Sequence, residues 1–196
     1  MRIRYFAGGA AALTVAVLAT ATPVAASAQS DAGTRLLDMV PALADPQTSK
    51  DRVPDSVELD ELGGVDPGST RLLGHDEAAS YWVGLADAST LCLIVELPDE
   101  GVAGASCGSI LDFYDRGAAL RVEGREGGPK TEAYLVPAGI DLPSALKMPN
   151  LRSDASSAGS SFVAFPNDLS RSLEPTTIVR DSGESFEFYP LNKGGK

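Results

Sequence analysis

His75 is the only imidazole in a chain of 196 residues that carries two Cys, 27 Asp plus Glu and 16 Lys plus Arg. A Ser-His-Asp hydrolase would need it as general base. It stands in Gly74-His75-Asp76-Glu77, ahead of the first strong strand pattern, and reads as a surface residue. No Ser is read as sitting in a Gly-x-Ser-x-Gly nucleophile elbow, and the chain is short for the usual hydrolase sheet. A Cys-His protease needs a free thiolate, whereas Cys92 and Cys107 read as each other's partners. Paired carboxylates could serve a glycosidase. Asp112, Asp115, Glu123 and Glu132 are the candidates, but such an enzyme also wants aromatic platforms, and the lone Trp82 reads as core. Asp55, Glu58, Asp60 and Glu61 form an acidic run whose oxygen spacing fits no calcium loop, so it reads as solvated linker. Two Cys and one His exclude zinc ribbons, Cys/His zinc fingers and iron–sulfur sites. No phosphate loop, dinucleotide fingerprint or haem motif is present. The sequence therefore assigns no catalytic residue, no cofactor and no metal ligand.

The formal net charge is −11, which speaks against nucleic-acid binding, since phosphate recognition needs a basic face. Residues 1–28 read as a secretory signal peptide, with Arg2 and Arg4 ahead of an apolar stretch centred on Ala10 to Ala19. Pro23 breaks that stretch, and Ala26-Ser27-Ala28 suits cleavage between Ala28 and Gln29. The competing reading is a retained membrane anchor, because Phe6 to Ala28 exceeds the ~20 residues a span requires. Its Ala, Gly and Thr content makes it weakly hydrophobic, so no stable membrane insertion is expected after cleavage. Cleavage removes two Arg and no acid, taking −11 to −13. The product is an acidic, secreted or cell-wall-associated protein. In that oxidising setting Cys92 and Cys107 are expected to form one disulfide. An excess of Arg over Lys, with abundant Ala and Gly, suits a high-GC bacterial genome.

The elements follow from periodicity. Residues 29–68 read as a flexible acidic arm, punctuated by Pro41, Pro46, Pro54, Pro67 and Gly63-Gly64. One β-rich domain is expected over 69–191. Tyr81 to Ala86 and Leu91 to Leu97 predict a hairpin, with Leu91, Leu93, Val95 and Leu97 on one face and Cys92, Ile94 and Glu96 on the other. Residues 98–106 read as a Gly-rich loop, and Ser106 as the cap of a short helix over 107–115. The disulfide would then pin that helix to the sheet. A second hairpin is expected from 118–123 and 131–136, a strand at 161–165, and a last hairpin from 176–180 and 185–189 with Phe186 and Phe188 sharing a face. A mobile insertion is expected near 141–160 and a frayed tail at 192–196. The predicted fold is mainly β (α+β), a small antiparallel sheet of hairpins with one or two short helices packed on it. A small, partly open barrel is the alternative.

Tyr81-x-Val83-x-Leu85, Leu91-Cys92-Leu93-Ile94-Val95, Ala105-Ser106-Cys107 and Tyr134-Leu135-Val136-Pro137-Ala138-Gly139-Ile140 carry a resemblance. Over about residues 70–140 the chain resembles small exported actinobacterial proteins of unknown function. These join a Cys-Leu-Ile strand, a second Cys and a Val-Pro-Asp-Gly-Val-type turn. Ala138 stands where that pattern has Asp. The resemblance implies export, a disulfide and the domain limits, and no activity. The expected function is an exported, acidic, non-catalytic domain that binds a cell-surface protein or wall component. The alternative is a small exported carboxylate-dependent hydrolase.

Overall fold

Nine strands form three antiparallel sheets in a computed structural model that describes residues 35–140, 161–166, 174–180 and 182–191. The first sheet has the order β1 (Arg71–His75), β2 (Ser80–Asp87), β3 (Thr90–Leu97), β4 (Val102–Ser109). The second joins β5 (Ala118–Glu123), β6 (Lys130–Val136) and β7 (Ser161–Pro166). The third is the hairpin of β8 (Thr176–Val179) and β9 (Ser185–Phe188). A short helix, α1 (Ile110–Arg116), links the first two sheets, and a helical turn over 35–39 precedes the first sheet. The fold is thus mainly β with little helix, and no barrel closes among the described residues.

Alternation along the strands builds stacked layers. Leu91, Leu93, Val95 and Leu97 of β3 face Val122, Ala133, Leu135 and Ala164 of the second sheet across the main core. Ile110 and Phe113 of α1 plug the same core. Cys92 and Ile94, on the other face of β3, pack with Trp82 under Val65. Tyr134, Val136, Val163 and Phe165 use the far face of the second sheet to bury Phe186 and Phe188. Because both faces are covered, β3 reads as an almost continuous apolar run, as in doubly covered sheets. Tyr81 ties the two sheets together. Its hydroxyl lies 2.7 Å from Asp76 Oδ2 and 2.8 Å from Thr131 Oγ1, and burial pushes the phenol pKa up.

Several expectations are corrected. The described part of the supposed arm, 35–68, is packed. Leu36, Met39, Val40 and Ala42 enter the main core, and Val57 and Val65 are buried as well. A helical turn over 35–39 brings Leu36, Met39 and Val40 inward at i, i+3 and i+4, the three-ten turn Pro41–Ala44 adds Ala42, and Val57 and Val65 follow as isolated buried residues. The 98–106 loop is a tight turn, closed by Gly101 in the left-handed region (φ 59°), followed by β4. The helix starts three residues later than expected, capped by Ser109, whose Oγ accepts from the Asp112 N–H at 3.1 Å. β1 is an additional strand. The signal peptide with its Ala28/Gln29 cleavage site, the 141–160 insertion and the 192–196 tail lie outside the described residues.

Candidate functional site

The disulfide forms between Cys92 and Cys107, but it does not hold the helix. The two residues are direct partners across β3 and β4, with Cα atoms 4.1 Å apart. Their side chains leave the sheet on the face away from Phe113. There Cys107 Sγ sits 3.7 Å from the Leu62 carbonyl oxygen. A Cβ on Gly63 would come within 2.9 Å of that sulfur, so the glycine permits the 58–64 turn to lie on the bridge. The turn carries Glu58, Asp60 and Glu61, all exposed. The acidic run is therefore a built turn beside β4 rather than linker.

The hydrolase candidates are dispersed. Asp112 and Asp115 are exposed on α1. The Ser109 hydroxyl and then Arg116, 2.7 Å away, hold the Asp112 carboxyl below its ordinary pKa. Glu123 and Glu132 share a face of the second sheet. Arg121 reaches both, at 3.9 Å and 3.6 Å, and Lys130 lies 2.6 Å from Glu123. Tyr134 donates to Glu132 at 3.1 Å, and the Glu132 side chain is 1% exposed. A general acid must reach the leaving group, and this carboxyl is enclosed among protein groups. His75 ends β1 opposite Ser80. Trp82 is buried against Val65 and Ile94, with no sugar-accessible ring face.

Gly104-Ala105-Ser106-Cys107-Gly108 does have the Gly-x-Ser-x-Gly spacing, contrary to the sequence reading. The structure shows why it is no elbow. An elbow puts Ser on a strained strand-to-helix turn, whereas Ser106 lies inside β4, in ladder register with Leu93. β4 and β1 are the two ends of a four-stranded sheet and Ser106 lies in the row of Arg71, not of His75, so the two residues are separated by more than ~14 Å at ordinary strand spacing. Ser109, at the real strand–helix junction, uses its hydroxyl as a helix cap.

Charge is uneven along the chain. Residues 53–115, which supply the first sheet, the turn covering it and most of α1, hold thirteen Asp or Glu and a single Lys or Arg, Arg71, while Lys50 and Arg52 stand just before this stretch. Residues 116–140 hold four Lys or Arg and three acids. Glu96 is the one of those thirteen acids that is buried. Burial raises its pKa, partly offset by the Ser56 hydroxyl at 3.4 Å. A raised carboxyl pKa means that the native state is favoured while the group is protonated. That contribution is complete below the unfolded pKa and is lost as pH rises through the folded one. Glu96→Gln is therefore expected to raise the melting temperature at pH 7 and to make no difference near pH 3. Paired thermal melts at the two pH values check this, and a Gln variant less stable at pH 7 would contradict it.

Comparison with protein-family models, with curated proteins and with solved structures finds no match to this chain. The site must be read from its own geometry. Among the described residues, no group of three or more His, Cys, Asp or Glu has metal-binding geometry, and no helix is long and apolar enough to cross a membrane. A disulfide fits an oxidising compartment.

Proposed function

We propose that the chain is an exported, non-catalytic domain whose first-sheet half binds a cationic segment of a partner protein. The thirteen-to-one charge imbalance over 53–115 carries this reading. A field of one sign, gathered on one half of a domain, raises the encounter rate with an oppositely charged partner. The disulfide, the signal-peptide pattern and the resemblance to small exported actinobacterial proteins support an extracytoplasmic setting. Anionic wall polymers would be repelled by the same field, which favours a protein partner over a wall component.

Titration of the isotopically labelled full chain with a lysine-rich peptide tests the proposal. Amide signals from 53–115 should shift at low salt, and the shifts should weaken as added salt shortens the screening length to about 8 Å at 0.15 M. Shifts confined to 116–140, or none at all, would overturn it.

A further inference from the structure

We propose that this half takes its partner by strand addition, an extended peptide with alternating basic residues pairing as a fifth strand along β4. The inference rests on the binding reading above and adds the mode and the class of partner. The 4.1 Å separation of Cys92 and Cys107 marks a non-hydrogen-bonded pair. Cys107, and with it Ala105 and Ala103, therefore point their backbone N–H and C=O groups away from β3. Among the described residues no strand pairs with that edge.

Sheet edges are normally guarded by charge, Pro or a bulge. β4, Val-Ala-Gly-Ala-Ser-Cys-Gly-Ser, has no charged residue and no Pro, and its register with β3 runs unbroken through eight pairs. Both β1–β2 and β2–β3 contain register shifts. The opposite edge, β1, is covered: Asp51 Oδ1 accepts the outward N–H of Leu72 at 3.1 Å, and the turns at Pro41–Ala44 and Ser49–Asp51 pack on the strand. One edge is thus capped and the other is left as a template.

Charge selects the occupant. Beside Cys107 lies the turn bearing Glu58, Asp60 and Glu61. Alternate side chains of an added strand would project on that side of the sheet, next to these carboxylates. Lys or Arg there would be attracted. A second copy of this chain would bring the same acids to the same edge and be repelled.

The probe is a peptide of about ten residues alternating Lys and Val, close to a usual strand length. Two further versions carry N-methyl groups on one or the other alternate set of amides. Methylating the set that faces β4 should weaken binding at least ~10-fold, and methylating the outward set should change it less than ~3-fold. Ala105→Pro removes an outward N–H at a position where an edge tolerates Pro, and should match the first effect with the circular dichroism spectrum unchanged. The peptide series decides the matter even if that variant does not fold. Equal binding by all three peptides would overturn strand addition while leaving electrostatic binding in place. No binding by any of them would overturn both. Sedimentation showing a peptide-free dimer that Ala105→Pro dissolves would assign the edge to a second copy instead.

Discussion

Gly117→Ala should lower the melting temperature by roughly 10 °C or more, the largest effect expected from a single methyl group in this protein. Gly117 ends α1 by donating its N–H to the Phe113 carbonyl oxygen at 2.8 Å, then swings the chain into β5 with φ 71° and ψ −167°. That region is essentially restricted to glycine, and other residues pay about 1–3 kcal/mol to enter it. Space is short as well. A Cβ there would lie 2.6 Å from the Leu135 backbone oxygen and 3.4 Å from Phe186 Cζ. The carbonyl belongs to the β5–β6 ladder and cannot move alone, so overpacking adds a further ~1–3 kcal/mol. Gly101→Asn is the control. Gly101 is also left-handed, at φ 59°, but nothing lies within 4 Å of its would-be Cβ, and Asn tolerates that conformation. Its melting temperature should stay within a few degrees of the parent. Similar losses at both positions would show that the Leu135 contact does not matter.

Replacing Cys92 and Cys107 together by Ala should cost on the order of 3 kcal/mol, with strand order and circular dichroism retained. The bond closes a loop with a sequence separation of 15, and its removal acts mainly by freeing the unfolded chain. Using Ser in place of Ala at Cys92 should cost about 1–3 kcal/mol more. Cys92 is fully buried beside Trp82 and Ile94, so a hydroxyl there enters an apolar layer. Ser at Cys107 should behave like Ala, because that position is exposed. Two double variants separate the entropic share from the burial share in denaturant melts. One combines Cys92→Ala with Cys107→Ala, and the other combines Cys92→Ser with Cys107→Ala. Equal stability of the two would contradict the buried environment of Cys92.

Much of the sheet was legible because its signal is local. Leu91, Leu93, Val95 and Leu97 alternate with Cys92 and Ile94, and the structure puts these two sets in different cores. Phe186 and Phe188 share a face for the same reason. β4 was missed because Gly, Ala and Ser have no amphipathic period to read. A usable clue was symmetry. Cys92 and Cys107 stand five residues either side of the Leu97↔Val102 pair, as a cross-strand bridge requires. β1 was missed because Gly74 sits at a register shift. The packing of 35–68 was only partly legible: Leu36, Met39 and Val40 carry a helical spacing, whereas Val57 and Val65 are isolated apolar residues buried by tertiary contact alone. The acidity of the candidate surface could be counted, but its open edge could not. Whether an edge is free depends on which strand comes last in the sheet.

The two outer layers come from opposite ends of the sequence. The 53–65 stretch precedes the first sheet, whereas the β8–β9 hairpin follows the second. Each covers a different face, and neither buries residues in the other's cluster. The architecture therefore supports independent sub-global openings in place of one all-or-none peeling. Release of the hairpin would bare Tyr134 and Phe165 while the disulfide face stays shut. Release of the 53–65 stretch would bare Trp82 and Cys92 while the Phe186 face stays shut. β3, covered on both faces and paired along both sides, belongs to neither opening. Its amides should exchange with solvent only when the whole molecule unfolds.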